Sequence, residues 1–492
     1  MNIRLKSPLF YIAIIYLFTA KGHLEMSDTE YSVRTALSIL ENGSLLINAP
    51  DQSVISKLPL VNDTKKIYSP YGIGLSFIFL PIVLVGKVIS FLGNFEQRLI
   101  INFLISFYNI PFALLGLYFF KKITIHFGSS VSKANMLMCI LAIGTCYWKY
   151  TVTDFSEITQ ACCILGIVLS TFSDKSNKWV NISIWYSILF TIKLSYFIYL
   201  PLLLLYFISE HHKSKYLSFK KNFLCSSACV VPFCVLIGSL NYFRYGNIFE
   251  SGYGSIIKFS FEFFKRDWFE YLISTERGIL SFNPVLFISL LGLVFTPHAM
   301  RAKVYVICIV VLVWYITMCF WVSWQGGYCW GNRLLIPILP LLLIPLVFVP
   351  LNHFLTKAGC ATVLLFSVFL QFSASFTKIH EIIEIKVRIQ EITDQLPSNQ
   401  LYRGMDLFLH KLKTSKVEYL SSDFGIKSSD IINLTNYDTF HGFNLWGIHL
   451  LNHVGLKPYS YWAGIIILSI TITLCIALFI NNTKVVIKEI KH

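Results

Sequence analysis

Residues 98–122 read RLIINFLISFYNIPFALLGLYFFKK. Between Arg98 and the lysine pair Lys121–Lys122 no side chain carries a charge. A helix needs about 20 mostly apolar residues to cross the hydrocarbon core of a bilayer, and this stretch supplies them. The lysines that close it are of the kind that collect on the cytoplasmic side. Working outward, comparable runs lie near 7–21, 134–150, 157–173, 222–240, 278–296, 303–322, 333–350, 355–376 and 460–480. Residues 179–209 are too long for one span and read as two, breaking near Lys193. The pattern predicts an all-α polytopic membrane protein with about 12 transmembrane helices.

The composition points the same way. Across 492 residues, 55% are hydrophobic and 14% charged, against roughly 25% charged in an average soluble domain. Forty-two Phe, 26 Tyr and 10 Trp exceed what a soluble core of this size needs. A disordered chain, a disulfide-stapled secreted scaffold and a cytosolic enzyme are excluded. Of the 12 Cys only Cys329 lies in a polar loop, so no disulfide framework is implied. The net charge of +15 would suggest nucleic acid in a soluble protein. Here it reads as cytoplasmic loops rich in Lys and Arg, and no nucleic-acid partner is expected. The start, MNIRLK before an apolar run, looks like a signal peptide but lacks a small-residue cleavage site, so it reads as a retained first helix.

The stretch 71–92 is ambiguous by hydropathy, and charge decides its reading. If it lies in the interface rather than crossing, one side collects Arg4 and Lys6; Lys121, Lys122 and Lys133; Lys175 and Lys178; Lys213, Lys215, Lys220 and Lys221; Arg301 and Lys303; Lys357; and Lys484, Lys488 and Lys491. Only Asp174, Glu210 and Glu489 oppose them. Both termini are then cytoplasmic, and 71–92 is a juxtamembrane or re-entrant helix, allowed where protein or a wet cavity satisfies its ends. Three regions fall outside: the first outer loop 22–97; the loop 241–277, with an interfacial helix expected at 261–273; and 377–459, a small extracytoplasmic segment that begins with the helix-patterned HEIIEIKVRIQEITDQL. Residues 1–376 would form the membrane-embedded module, and 460–492 the last span with a basic tail. No internal repeat is visible, which argues weakly against a transporter.

Charged side chains near lipid need a partner or a task. Asp28 and Glu30 follow the first span in SDTEYSVRTALSILENGSL. One reading is a helix start, with Ser27 or Asp28 capping and Glu30 in the first turn; the other is a reactive pair. Asp154 and Glu157 in TVTDFSEI admit the same two readings, with Asp154 or Ser156 as the cap. Both acidic pairs fall on the same face by an argument that uses only basic residues, and that convergence favours function. Cations gather there too: Lys65 and Lys66 before YSPYGIG, Lys193, and Arg244, Arg277 and Arg333 at outer ends of spans. Each could snorkel to headgroups. An Arg can also grip a phosphate bidentately, which Lys does only as a point charge. Tyr68 and Tyr71 of YSPYGIG join this donor-binding set. Aromatic rings beside QGGYCWG and ESGYG are belt residues or sugar-stacking surfaces. No HExxH, Walker A, GxGxxG or CxxC pattern appears in a sensible context. The outer His23, His441, His449 and His453 have no spacing that marks a metal site.

Taken in order, SDTEYSVRTALSILENGSL, YSPYGIGLSFIFLP, DFSEI, NYFRYGNIFESGYG, STERGILSFNPVLF and WQGGYCWGNRLLIPILPLLLIP span about residues 25–350. This series resembles the GT-C superfamily of integral membrane glycosyltransferases that use polyprenyl-phosphate sugars. The similarity is to the bacterial branch related to protein O-mannosyltransferases and the lipid A aminoarabinose transferase. The resemblance implies a catalytic base in the first outer loop, matching Asp28 with Glu30 beside it, and a second acidic site matching Asp154 or Glu157. It implies a carrier-phosphate ligand at Lys66 or Lys65, displaced from the family's usual place before a proline. Lys193 stands where the family often has Arg.

The resemblance therefore implies a glycosyltransferase. A sugar would move from a polyprenyl-phosphate donor to a hydroxyl of a glycan, lipid or protein acceptor at the extracytoplasmic face, with inversion, Asp28 taking the proton. Cations such as Lys66, Arg277 or Arg333 would stabilise the leaving phosphate. An acidic pair could also hold Mg2+ or Mn2+; no metal ligand set is assigned. The competing class is a lipid-linked oligosaccharide flippase or other carrier, which needs charges along the whole path, whereas the inner halves of these spans are nearly free of them. The expected location is a bacterial inner membrane.

Overall fold

The computed structural model describes residues 7–47, 67–173, 177–211, 216–250, 259–322, 325–327, 329–350, 354–379, 381–382, 399–413 and 443–490. Among these the regular structure is helical, with two isolated bridges, Leu46 to Tyr68 and Phe259 to Trp321, in place of a sheet. Six helices are long and apolar enough to cross a membrane: Ile73–Gly93, Gln97–His126, Phe219–Tyr245, His298–Cys319, Lys357–Phe376 and Pro458–Ile480. Six more apolar helices have 10–17 residues each, short of the about 20 a crossing needs. The count of twelve crossings thus remains an expectation.

Local chemistry explains where the runs break. Within the single span Gln97–His126 the α-helix is interrupted at 106–108, giving Gln97–Ile105 and Asn109–His126, and Pro111, which has no N–H, falls in the first turn of the second piece. Residues 179–209 divide as expected. Lys178–Ile192 ends where Lys193 is extended at φ −149°, ψ 114°, and a 3-10 turn, Leu194–Tyr199, leads into Leu200–His211. The 333–350 run departs from the expected α-helix. Pro337, Pro340 and Pro345 divide it into 3-10 segments Arg333–Ile338 and Ile344–Phe348 around a four-residue helix, Leu339–Leu342. The expected interfacial helix at 261–273 is two short helices, Phe261–Asp267 and Glu270–Ile273.

The first outer loop carries an amphipathic helix, Ser27–Asn42, with Asp28 and Glu30 in its first turn and Gly43 at φ +58° closing it in the left-handed conformation. Ile73–Gly93 runs beside it in the same direction. Tyr71 meets Asp28 where both begin, and Lys87 pairs with Glu41 at 2.8 Å near where both end. Val33 and Ala36 pack with Leu75, Phe79 and Val83 and with Ile101 and Ile105 into a separate small core.

A large core joins most of the remaining helices, and it includes Leu407, Phe408, Phe443, Leu445 and Ile448, while Trp179, Ile182 and Phe207 form a third, small cluster against which Phe219 packs. The described parts of 377–459, helices Gln400–Lys413 and Trp446–His453, are therefore built into the main body. Most of HEIIEIKVRIQEITDQL lies outside the described residues. Charges sort to opposite ends of the bundle. At one end Lys303 Nζ meets His126 at 2.9 Å, Lys133 Nζ donates to the Val347 carbonyl at 2.6 Å, and the His126 ring stacks on Phe172. The helices Asn109–His126, Glu157–Thr171 and the Arg333–Phe348 run lead from there to the end that holds the acidic pairs.

Candidate active site

At that end, five separate stretches of sequence converge. Asp28, one residue into its helix, accepts a hydrogen bond from the Tyr71 hydroxyl at 2.6 Å on Oδ1 and from Arg333 Nη2 at 2.6 Å on Oδ2. Arg333 Nε lies 3.2 Å from Glu157 Oε1, an ion pair without an aligned hydrogen bond. The guanidinium also covers the Phe155 ring, 4.4 Å from its centroid. One cation thus bridges two carboxylates that lie 129 positions apart in the sequence. Lys193 completes the group: half-buried, it lies 5.9 Å above the Trp314 ring and feels the charges of Glu157, Arg333 and Asp28.

The electrostatics follow from burial set against these partners. Burial alone pushes the Asp28 carboxyl up. The Arg333 guanidinium, the Tyr71 hydroxyl and Lys193 outweigh it and hold Asp28 below the usual carboxylate range. Burial pulls the Lys193 ammonium down to about 8, with Glu157 and Asp28 resisting and Arg333 assisting. At neutral pH the site therefore holds an ionised Asp28 and a mostly charged Lys193.

Close packing builds this geometry. A Cβ on Gly72 would sit 2.2 Å from the Ile192 carbonyl oxygen, and one on Gly74 2.5 Å from Thr191 Oγ1. The two glycines let YSPYGIG lie directly on the turn that presents Lys193. Arg244 secures the same loop: its Nη1 donates to the carbonyls of Ser69 at 3.1 Å and Tyr71 at 3.3 Å, and its Nη2 to Asn241 Oδ1 at 2.8 Å. Arg277 does the equivalent for the loop before Arg333. It donates to the carbonyls of Cys329 at 2.5 Å, Gly331 at 3.2 Å and Gly327 at 3.2 Å. Gln400 braces that loop from the C-terminal part, through Gly331 N at 3.0 Å and the Cys329 carbonyl at 2.8 Å.

The chain is similar to solved structures of ArnT. The crystal structure of ArnT from Cupriavidus metallidurans bound to undecaprenyl phosphate aligns with a TM-score of 0.48 and 11% identity, covering 96% of this chain and 76% of that one. The apo structure of the same protein gives 0.48 and 11%, with 96% and 75% covered. No protein-family profile matches the chain, and no curated protein matches it.

Of the residues singled out in the sequence, Asp28, Glu157, Lys193, Arg333 and Tyr71 are brought together. Glu30 is not; its carboxylate is held by Arg34 at 2.6 Å and by Arg98. Asp154 turns away from the group. Its two oxygens accept the backbone amides of Glu25 and Met26, each at 3.1 Å, and its own carbonyl accepts the Thr29 hydroxyl at 2.6 Å. It pins the chain just ahead of Asp28. Arg244 and Arg277, expected to meet an outer anion, spend their donors largely on loop carbonyls. Tyr68 is buried against Phe243 and Tyr245. Lys65 and Lys66 lie outside the described residues.

The acidic pairs, which could also have held Mg2+ or Mn2+, are engaged by protein groups. Arg333 occupies the space between Asp28 and Glu157, and Asp154 is committed to amides. Among the described residues no three His, Cys, Asp or Glu gather as a metal would require. The structure also adds residues that sequence reading passed over. Asn332, next to Arg333, is buried with neither side-chain polar atom hydrogen-bonded among the described residues. Lys149, a lone cation in the aromatic YWKYT turn, is buried 4.0 Å from Glu25. Its charge inside an apolar run was the one signal available.

Proposed function

We propose that the chain is a membrane glycosyltransferase that moves a sugar from a polyprenyl-phosphate donor to an acceptor hydroxyl at the outer face of a bacterial inner membrane. The observation that carries this reading is the Asp28–Arg333–Glu157 bridge with Lys193 beside it, at the bundle end away from the basic loops. Ser27–Asn42 bears charge along its length, so it belongs in the interface. Ile73–Gly93, tied to it at both ends, is read as its juxtamembrane companion.

In this mechanism the acceptor oxygen attacks the anomeric carbon while its proton passes to Asp28. The bond from that carbon to the phosphate oxygen breaks, and the electron pair leaves with the lipid phosphate. A transition state of oxocarbenium character and one direct displacement give inversion. Charge growing on the phosphate is met by Lys193 and Arg333, already oriented and poorly solvated. Tyr71 and Arg333 keep Asp28 ionised before attack, and Asn332 offers a donor and an acceptor for sugar hydroxyls.

The test is a purified-protein assay with undecaprenyl-phosphate sugars, following release of undecaprenyl phosphate. Wild type should release it when an acceptor is supplied, and Asp28→Asn should not, although it inserts normally. Sugar-lipid movement across vesicles without any release of lipid phosphate would instead support a flippase.

A further inference from the structure

The proposed chemistry uses no residue beyond Arg333, yet the C-terminal part of the chain reaches both stretches that meet at Asp28. On the Arg333 side the contact is Gln400, the first residue of helix Gln400–Lys413 and 1% exposed. Its amide pairs with the loop as a neighbouring peptide group would. Nε2 donates to the Cys329 carbonyl at 2.8 Å, and Oε1 accepts from Gly331 N at 3.0 Å. Arg333 follows two residues later and donates to Asp28 Oδ2 at 2.6 Å.

Arg277 cannot replace this hold. It grips the carbonyls of Cys329, Gly331 and Gly327, because a guanidinium only donates. The Gly331 N–H needs an acceptor, and Gln400 Oε1 supplies it. A buried N–H left without a partner is costly, so the loop would shift to find one. Gln400 is itself fixed. Its own N–H donates to Glu276 Oε1 at 3.0 Å, and Arg403, one turn on, pairs with the same oxygen at 3.2 Å. Leu401 N donates to the Thr275 carbonyl at 3.2 Å, and Asn399 Oδ1 caps the helix by accepting from Tyr402 N at 3.0 Å. Gly404 lies against the Trp330 ring, where a Cβ would come within 2.4 Å of it. Glu276 and Arg277 are neighbours, so one dipeptide anchors both the helix and the loop.

The Asp28 side is held from the same part of the chain. Trp446 N donates to the Ala20 carbonyl at 2.9 Å, and Asn444 Nδ2 to Glu25 Oε1 at 2.5 Å, three residues before Asp28. Asp28 and Arg333, 305 positions apart, thus meet between two holds from the C-terminal part.

We propose that Gln400 is a positioning residue: through the 329–331 loop it sets the reach of Arg333 to Asp28, and the C-terminal part thereby belongs to the working site. Its consequence for sugar transfer rests on the glycosyltransferase reading; its effect on Asp28 does not. The charged and titratable groups around Asp28 are Arg333, Tyr71, Lys193 and, on its own helix, Tyr31, with Glu157 acting through Arg333. Burial raises the Asp28 carboxyl, and Arg333 is the largest of the groups that hold it down. A loosened Arg333 therefore lets it rise.

The experiment follows Asp28 directly in the full-length protein purified in detergent. Infrared spectra with isotope-labelled aspartate are titrated with pH, and subtracting Asp28→Asn isolates the Asp28 carboxyl. Gln400→Met keeps the volume and removes both hydrogen bonds. Asp28 should then take up its proton about one pH unit higher, an adjacent Arg lowering a carboxyl by about 1–3. Gln400→Asn, with the same amide on a shorter arm, is the milder second variant and should move it the same way by less. In an Arg333→Gln background Gln400→Met should add nothing. Leu407→Ala removes apolar packing from the same helix and no hydrogen bond to the loop. It should lower the melting temperature and leave the Asp28 titration in place. Transfer by Gln400→Met should fall about 10–100-fold, as for a displaced reacting group. An Asp28 titration unmoved by both Gln400 variants, moved equally by Leu407→Ala, or moved equally in the Arg333→Gln background would each overturn the proposal. The expected movement in a protein whose wild type transfers no sugar would keep the brace and sink the glycosyltransferase reading.

Discussion

Asp28 is held by two partners that act on different properties. Arg333 stabilises its charge, while Tyr71 orients one oxygen. A carboxyl lowered by a neighbouring cation is ionised over a wider pH range, so the acid limb of the wild-type rate profile should lie below the ordinary carboxylate range. Arg333→Gln removes the main lowering influence and leaves burial in place. Its acid limb should move to higher pH, which a pH series of initial transfer rates reads whatever the drop in amplitude. An unmoved limb would detach Arg333 from Asp28. Asp28→Asn should lower transfer by about 10²–10⁴-fold, the usual worth of a positioned base. Asp154 has the opposite character. Burial and the nearby Glu25 push it up to about 7 although two amides resist. Between its ordinary value near 3.8 and 7, the folded chain holds a proton that the unfolded chain releases. Its contribution to stability is thus lost as pH rises through that window. Melting of the wild type in detergent should fall from pH 5 to 8 by more than that of Asp154→Asn.

The loops that present these side chains are positioned from behind. YSPYGIG is pressed on Ile192 by its glycines and fixed by Arg244, and the loop before Arg333 is fixed by Arg277 and Gln400. Gly72→Ala places a Cβ 2.2 Å from the Ile192 carbonyl, so the loop must retreat and carry Tyr71 off Asp28. A displacement of about 1 Å at a reacting group can cost near 10²-fold. Transfer by Gly72→Ala should fall about 10–100-fold, while Gly359→Ala, whose Cβ meets nothing within 4 Å, should behave as wild type in the same rate and expression assays. These supports also show what sequence could and could not reveal. The break at Lys193 was legible because an apolar run of that length cannot be one span. The task of Arg277 was not, because its partners are, apart from Cys329 Sγ, backbone carbonyls, which leave no mark in side-chain identity. Nor was the break-up of 333–350, where three prolines matter more than hydropathy.

For the whole molecule, the sorting of charge was the most legible feature, since it depends on counting rather than on geometry. Basic residues alone put Asp28, Asp154 and Arg333 on one face, and the structure joins Asp28 to Arg333 at one end of the bundle with Lys133 and Lys303 at the other. Which of 154 and 157 would meet Arg333 was illegible, because both carboxylates flank one turn and backbone amides captured the first. The same sorting predicts an orientation. Basic loops stay on the cytoplasmic side because moving Lys and Arg across a bilayer against the membrane potential is unfavourable. Asn42, exposed at the end of the Ser27–Asn42 helix, should then face outward, and Lys122, exposed beside half-buried Lys121 in the Asn109–His126 helix, should face the cytoplasm. In a background with the exposed Cys225 and Cys234 changed to serine, Asn42→Cys should react with an impermeant maleimide on intact cells, and Lys122→Cys only after permeabilisation. Labelling in the reverse order would invert the topology and put the Asp28 site on the cytoplasmic face, where a donor displayed on the outer leaflet could not reach it.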